Sequence, residues 1–154
     1  MKPVYLYGFM GSGKSFIGRK AAQELNLSFI DLDECIGNIP EIFALHGEKH
    51  FRELEFNALR EANADIISLG GGALTNPDAA AYAKENAVVI FIDTPFEVCY
   101  ERIKGDKSRP LAASKTKEEL LALYDSRSEH YRNAADYIIK GEDECIFIMR
   151  KLKQ

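Results

Sequence analysis

Short apolar runs alternate with longer amphipathic stretches along this chain, and the alternation predicts its secondary structure. The short runs predict strands at residues 4–7, 28–30, 66–69, 88–92 and 136–140. Between these runs, apolar residues recur at the spacing of one helix face, as Ile17, Ala21 and Leu25 do. We predict helices at residues 14–26, from 77 onward, at 96–104, 116–132 and 143–152, and an interrupted helical segment over 33–62.

Strands that alternate with helices over the whole chain predict an α/β fold, in which helices cover both faces of a parallel sheet. The run Val88–Ile92 is apolar at every position, which is typical of a strand buried on both faces. No internal repeat or linker interrupts the pattern. With 154 residues the chain is long enough for one well-packed core, so we predict a single domain over 1–154, with three layers and a five-stranded sheet.

The segment after the first predicted strand, Gly8–Ser15, fits the pattern G-x-x-x-x-G-K-[ST] at every fixed position. Such a P-loop turns its backbone N–H groups toward phosphate oxygens, and the following helix adds its positive N-terminal end. Lys14 is expected to reach the β- and γ-phosphates of a nucleotide, and Ser15 is expected to bind Mg²⁺. The required context, a strand before the loop and a helix after it, is predicted here.

Three classes of P-loop protein could carry this segment: a small-molecule kinase, a GTPase-type switch, and a nucleotide-binding subunit without chemistry of its own. A GTPase should contain an Asn-Lys-x-Asp segment and an Asp-x-x-Gly segment. The chain contains neither string. The sequence therefore argues against the switch protein and leaves the other two classes open.

Charge and composition exclude some classes of binding partner. The net charge of −4 argues against general nucleic-acid binding, which needs a basic surface. No apolar run approaches the ~18 residues of a membrane span. Cys35, Cys99 and Cys145 are scattered and lack metal-ligand spacing, so we expect reduced thiols. A strand predicted so close to Met1 leaves no room for a signal peptide, and a cytoplasmic enzyme is expected.

Two carboxylates stand at the end of the second predicted strand. Asp31 and Asp33 flank Leu32, and ligands of open parallel sheets bind beyond the carboxyl ends of the strands. One carboxylate there can act on a metal ion and the other on a substrate hydroxyl. The alternative for Asp33 is a helix cap.

Four arginines lie where a binding role and an ordinary structural role compete. Arg127 shares a helix face with Leu123 and Tyr131, and a buried guanidinium needs a partner, either a ligand carboxylate or a protein carboxylate. Arg52 has acidic neighbours on its own helix and could form a surface ion pair of little value. We predict a Gly-, Lys-, Ser- and Asp-rich loop at residues 105–115, with Arg102 just before it and Arg109 within it. That loop is either a lid that closes over the nucleotide or a solvated loop.

Taken together, these residues resemble the shikimate kinase family. The landmarks are the P-loop Gly8–Ser15, Asp31-Leu32-Asp33, Gly47-Glu48 with Phe51-Arg52, Gly70-Gly71-Gly72, Arg109-Pro110-Leu111, and Arg127 with Tyr131. They occur in the order of the family and cover residues 4 to about 137. The P-loop is common to many families, whereas the combination is specific.

The resemblance implies a nucleoside-monophosphate-kinase-like P-loop fold with strand order 2-3-1-4-5. It also implies a substrate-binding helical segment at about 33–62 and a lid at about 104–116. The implied activity is ATP-dependent phosphorylation of the shikimate 3-hydroxyl, with Mg²⁺. We expect a monomeric enzyme with no nucleic-acid or membrane partner.

The resemblance also implies roles for individual residues. ATP would contact Gly11, Ser12, Gly13, Lys14, Ser15, Phe16, Arg102 and Arg109. Shikimate would contact Asp33, Arg52, Gly71, Gly72 and Arg127. Asp33, Lys14 and Arg109 would be catalytic, with Asp33 on the attacking hydroxyl. Arg52 and Arg127 would face the substrate carboxylate, Ser15 would bind Mg²⁺, and Asp31 would act on the ion through water.

The chain departs from the family pattern in two places. It is several residues shorter between Asp33 and Phe43, and Arg109-Pro110-Leu111-Ala112 replaces the more usual R-P-L-L. Two other functions are compatible with the P-loop: a gluconate-type or other small-molecule kinase, and a nucleotide-binding regulatory protein derived from a kinase. The gluconate-type kinase would not need two arginines that converge on a carboxylate, and the shortened segment would be the signature of the regulatory protein.

Overall fold

The computed structural model describes residues 2–154 and contains one parallel sheet of five strands. The strands are β1 Val4–Tyr7, β2 Phe29–Asp31, β3 Ile66–Ser68, β4 Val88–Ile92 and β5 Tyr137–Ile139. Their order across the sheet is β2-β3-β1-β4-β5, and every neighbouring pair is parallel. The predicted fold class and strand order are confirmed.

Helices connect the strands. They are α1 Lys14–Leu25, α2 Leu32–Ile36, α3 Ile39–Glu61, α4 Pro77–Asn86, α5 Phe96–Ile103, α6 Pro110–Ser114, α7 Lys117–Ala134 and α8 Glu142–Lys153, with a 3₁₀ turn at Ala73–Thr75. Between residues 2 and 154 none of them has the length and apolar character that a membrane span requires.

The sheet is buried on both faces, and the central strand β1 shows why. Its side chains alternate between the two faces, as in any strand. Tyr5 and Tyr7 pack into a cluster with residues of α3, α4, α5 and α7, whereas Val4 and Leu6 pack against α1 and α8. Burial on both sides explains why β1 and β4 are apolar throughout rather than alternating.

The strand ends and most helix ends lie within two residues of the predicted bounds, and two segments differ more. The interrupted segment is two helices: α2 ends before Gly37, and α3 is broken once more at Gly47, where φ is +83°. The loop predicted at residues 105–115 contains the short helix α6. Pro110 occupies its first turn, where a missing N–H costs nothing, and two alanines follow. A capping box between Thr116 and Glu119 then starts α7.

Candidate active site

The P-loop lies between β1 and α1 and has the geometry of a phosphate cradle. Gly11 has a φ of +82°, and a Cβ atom there would lie 2.7 Å from the Cys99 carbonyl oxygen, so only glycine fits. Lys14 begins α1, and its ammonium group donates to the carbonyl oxygens of Gly8 (2.9 Å) and Phe9 (3.0 Å). An ammonium group has three N–H donors, so one remains for a ligand oxygen.

Burial lowers the pKa of Lys14 to about 8, and the nearby carboxylate of Asp33 opposes this shift. The positive charge is therefore held in a site where desolvation penalises it. A phosphate group bound there would stabilise the charged form.

Ser15 and Asp31 form a direct pair at the edge of the cradle. The Ser15 hydroxyl donates to Asp31 Oδ2 at 2.7 Å, and Ser68 Oγ lies 3.3 Å from the same hydroxyl. Asp31 Oδ1 accepts the backbone N–H of Asp33 at 3.0 Å, which makes Asp31 the cap of α2. The capping role considered for Asp33 thus belongs to Asp31.

This pair fits a magnesium ion that is held mainly by phosphates and water. Among residues 2–154 no group of three or more His, Cys, Asp or Glu side chains could hold a metal alone. Mg²⁺ is commonly bound by one or two protein oxygens together with substrate phosphates and water, and Ser15 with Asp31 supplies that donor set.

A second pocket opens beside the cradle, and two guanidinium groups meet in it. A Cβ atom on Gly72 would lie 2.5 Å from Arg52 Nη2 and 3.0 Å from Arg127 Nη2, so both groups converge on one point. Arg127 is 8% exposed, and within the part of the chain that the structure describes it pairs with no carboxylate. We call this space the arginine pocket.

Arg52 has carboxylate partners of its own. It binds Glu55 at 2.9 Å and Glu48 at 3.3 Å, and Glu55 is almost fully buried. Burial raises the pKa of Glu55, and the charge of Arg52 opposes the shift. The alternative of a surface ion pair for Arg52 therefore does not describe this site, because the pair with Glu55 is shielded from water.

The charges in the arginine pocket do not balance. Three arginines, Arg52, Arg109 and Arg127, line the pocket with two carboxylates, Asp33 and Glu55, while Glu48 is half-exposed at the rim. Glu55 Oε2 has no hydrogen-bond partner among the described residues. An unpaired buried charge is costly, so the site favours an anion that also offers a donor. A hydroxylated carboxylate has both groups.

The arginine pocket has one polar wall and one apolar wall. Its polar wall is formed by Asp33, Arg52, Glu55, the Gly70–Gly72 loop, Ser108, Arg109 and Arg127. Its apolar wall is formed by Met10, Ile39, Phe43, Phe51, Pro110 and Leu111. Glu55 and the apolar wall were not predicted as site residues. Phe51, Pro110 and Leu111 are among the family landmarks, but nothing local in the sequence shows which apolar residues border a cavity.

Asp33 lies between the arginine pocket and the phosphate cradle, and its side chain lines both. Burial and the neighbouring Asp31 raise its pKa, whereas Lys14, Arg109 and Arg52 oppose the shift. A carboxylate with a raised pKa is a better proton acceptor than an exposed one. Its position allows it to contact a group that enters from either side.

Arg109 also lines both spaces. It precedes α6, and its Nε donates to Asp106 Oδ2 at 3.0 Å. Arg102 Nη1 donates to the Gly11 carbonyl oxygen at 2.9 Å, directly on the P-loop. The structure thus brings Arg109 of the predicted lid, and Arg102 just before the lid, to the phosphate cradle.

An outer groove continues from the P-loop along the end of the sheet. Phe16, 66% exposed, and Arg102 form part of it. Its other walls are Ser12, Gly13, Ile17, Thr94, Pro95, Val98, Lys140, Gly141 and Glu142. The segments after β4 and β5 were not predicted as site residues. The rule that ligands bind beyond the carboxyl ends of parallel strands could have identified them.

Comparisons with known proteins show which proteins this chain is similar to. The family model for shikimate kinase matches residues 10–154. The chain is 45% identical over 140 residues to shikimate kinase from Staphylococcus aureus strain MSSA476, covering 86% of this chain and 80% of that protein. It is also similar to two solved structures. Shikimate kinase from Acinetobacter baumannii in complex with shikimate has 31% identity and a TM-score of 0.88, over 99% of this chain and 92% of that one. Shikimate kinase from Aquifex aeolicus has 37% identity and a TM-score of 0.80, over 98% and 96%.

Proposed function

The chain belongs to the shikimate kinase family, and from this membership we propose a role for each of the spaces described above. The activity is that of a shikimate kinase: ATP-dependent phosphorylation of the shikimate 3-hydroxyl. ATP binds with its phosphates in the P-loop and its base in the outer groove. Shikimate binds in the arginine pocket, with its hydroxyl toward Asp33.

The convergence of Arg52 and Arg127 on Gly72 carries the acceptor assignment. Planar guanidinium groups match the two oxygens of a carboxylate, and two of them fix the orientation of a rigid ring. Glu55 holds Arg52 in place, while Arg127 lacks a protein carboxylate among the described residues. The ring of shikimate then rests on the apolar wall around Phe43 and Phe51.

Asp33 is proposed to accept the proton of the attacking hydroxyl. The hydroxyl oxygen forms a bond to the γ-phosphorus, the bond from that phosphorus to the bridging oxygen breaks, and ADP leaves with that electron pair. Lys14 and Arg109 stabilise the charge on the transferring group, because the chemistry depends mainly on positioning and electrostatics. The backbone of Gly11–Gly13 with Ser15 and Phe16 holds the nucleotide.

Mg²⁺ is proposed at the Ser15–Asp31 pair, with Ser15 as a ligand and Asp31 acting through water. Bound there, the ion would neutralise charge on the phosphates. The chain itself contributes the hydroxyl, the carboxylate and the fixed distance of 2.7 Å between them.

Further proposals concern the domain, the substrate-binding and lid segments, and the form of the protein in the cell. We propose one domain over residues 1–154, a substrate-binding segment at about 33–62 and a lid at about 104–116 that carries Arg109. A monomer without nucleic-acid partners in the cytoplasm is the expected form. Cys35, Cys99 and Cys145 are free thiols, which suits a reducing compartment.

The test of the acceptor is ATP consumption with Mg²⁺ and shikimate, with gluconate, and with neither. Turnover is expected with shikimate only. Turnover with gluconate would support the other small-molecule kinase. Tight ATP binding without turnover on any acceptor would support a regulatory protein.

Conservative replacement of either arginine should weaken shikimate binding. Arg127→Lys and Arg52→Lys keep the charge but lose the two-pronged hydrogen bonds. We expect the KM for shikimate to rise about 10-fold in each, since a charge-assisted hydrogen bond contributes ~1.5–3 kcal/mol. The KM for ATP should stay unchanged.

Arg132→Lys is the matched control, because Arg132 lies on the same helix, is half-exposed and pairs with Asp93 at 3.0 Å. It should leave the KM for shikimate unchanged. If Arg127→Lys lowers the melting temperature while that KM stays the same, Arg127 is structural and the carboxylate assignment fails.

The lowered pKa of Lys14 predicts a pH dependence of nucleotide binding. The group loses its proton as the pH rises through about 8, earlier than an exposed lysine. If the phosphates need the charged form, the Kd for ATP should rise about 10-fold by pH 9, and binding at that pH should take up protons. Calorimetric titration at pH 7 and pH 9 in two buffers measures both quantities. A flat Kd between these values would contradict the prediction.

A further inference from the structure

Tyr131 is a buried tyrosine on α7 whose hydroxyl reaches the edge of the arginine pocket. It is 1% exposed and donates to the Gly71 carbonyl oxygen at 2.6 Å. Its ring contacts Tyr7 edge-on at 4.9 Å and stacks on Phe91 at 5.2 Å. Burial raises the pKa of Tyr131 to about 12, so the hydroxyl keeps its proton and remains a donor.

The hydrogen bond from Tyr131 completes the bonding of a glycine loop. The carbonyl oxygen of Gly70 accepts the N–H of Ala73 at 3.1 Å, and that of Gly72 accepts two donors from Thr75. These three hydrogen bonds stay within residues 70–75. The carbonyl of Gly71 lies between these two, and its hydrogen-bond donor, Tyr131, comes from another element, α7.

Fixing this carbonyl also fixes an N–H group. The peptide unit is planar and trans, so the Gly71 carbonyl and the Gly72 N–H point in opposite directions. In the described chain the N–H groups of Gly71 and Gly72 donate to no protein acceptor. The hydrogen bond to Tyr131 therefore aims the Gly72 N–H away from α7. Three glycines in sequence would otherwise leave the unit free to rotate, because glycine tolerates most backbone conformations.

The same helix carries the substrate arginine. Arg127 precedes Tyr131 by one helical turn, so both lie on one face of α7. A Cβ atom on Gly71 would lie 3.2 Å from the Met10 backbone nitrogen and 3.7 Å from Arg127 Nη1. The loop is thus packed between the P-loop and α7. The hydrogen bond from Tyr131 links this loop to the helix from which Arg127 extends.

We propose that Tyr131 is a positioning residue for the acceptor: its hydrogen bond holds the Gly71–Gly72 peptide in the orientation that binds shikimate beside Arg127. This inference rests on the proposed shikimate site. It assigns Tyr131 no contact with the substrate and no part in phosphoryl transfer. The effect of losing the hydroxyl is therefore expected in acceptor binding rather than in the chemical step.

Tyr131→Phe removes the hydroxyl and keeps the ring that packs on Tyr7 and Phe91. We expect the Kd and KM for shikimate to rise about five-fold, in the range of one neutral hydrogen bond. The KM for ATP should not change, and kcat should stay within about two-fold, since a loss of binding alone raises KM with kcat unchanged. Calorimetric titration of shikimate and steady-state kinetics on one preparation give all four values.

Tyr124→Phe is the matched control. Tyr124 lies on the same helix and donates to a backbone carbonyl in the same way, but at Thr94, at 2.7 Å, in the loop after β4. It should leave the Kd for shikimate unchanged. A Kd in Tyr131→Phe within 1.5-fold of the wild type, or an equal rise in Tyr124→Phe, would overturn the positioning role.

Arg127→Lys in the same titration separates this inference from the site on which it rests. If Arg127→Lys weakens shikimate binding and Tyr131→Phe does not, only the positioning role fails. If neither variant changes the Kd, the shikimate site itself is wrong and the inference falls with it.

Discussion

Lys14→Met is expected to leave a folded protein whose turnover falls by roughly 10³-fold or more, because phosphoryl transfer depends on charge placed at the phosphates. The ammonium group of Lys14 is buried beside the P-loop carbonyls, and no other lysine lines the phosphate pocket among the described residues. Methionine fills a similar volume without the charge. Arg102 and Arg109 remain, so residual activity is expected rather than none.

The fold should survive this substitution. Burial already disfavours the charged form of Lys14, so an apolar side chain removes a desolvation cost while it also removes two hydrogen bonds. Thermal melting and single-turnover kinetics are the measurements. Lys84→Met, an exposed lysine on α4 outside the site, is the control for loss of a positive charge. Near-normal turnover in Lys14→Met would exclude the P-loop mechanism.

The phosphate cradle could be predicted from the sequence because its parts are contiguous. Gly8–Ser15 forms a turn and the start of a helix, so eight neighbouring residues define both the conformation and the ligand. The five strands were predictable for a similar reason, since each is a short apolar run. The order of the strands came from the family resemblance, because pairing across a sheet joins residues far apart in the chain.

The arginine pocket could not be predicted from residue patterns alone. Helical spacing placed Arg127 on an inward face but did not show what faces it. The spacing of Arg52 and Glu55 on one helix is typical of a surface ion pair. Their burial depends on how α3 packs against the loop Gly70–Gly72. Converging side chains from α3 and α7 are a tertiary property. Without the resemblance, the sequence left each arginine undecided between function and structure.

The β4 and β5 walls of the outer groove and the helix α6 were not predicted from the sequence, each for a different physical reason. The outer groove is built from the ends of β4 and β5, whose residues Thr94, Pro95 and Gly141 resemble ordinary turn residues. The helix α6 was predicted as loop, since lysines, serines and a proline outnumber apolar residues near it. Its identity as a helix depends on the position of Pro110 at the first turn, and sequence alone does not fix where that turn begins.

Asp33→Asn should lower kcat by roughly 10²-fold or more, the range typical of a general base. The amide keeps the size of the side chain and can still contact a hydroxyl, but it cannot accept its proton. ATP binding should hardly change, because Lys14, Ser15 and the P-loop backbone are untouched. Steady-state kinetics with saturating ATP and shikimate measure the loss.

The structure removes the main alternative explanation for such a loss. The cap of α2 is Asp31, whose Oδ1 accepts the Asp33 N–H, so Asp33→Asn leaves that hydrogen bond intact. The melting temperature should therefore stay close to that of the wild type. Glu34→Gln is the matched control: Glu34 is the next residue, is exposed and pairs with Arg19 at 2.7 Å. It should retain full activity.

The pH dependence of kcat is a second, independent test of Asp33 as the general base. Burial and Asp31 raise its pKa, and a general base must be deprotonated, so wild-type kcat should fall as the pH drops through this raised value. Below that pKa the carboxyl is protonated and cannot accept the proton of the hydroxyl. Asp33→Asn has no such group, so its residual activity should lack this acidic limb. If the variant retains both the wild-type rate and the acidic limb, the base is another residue, and the place of Asp33 between the two pockets serves only to orient the acceptor.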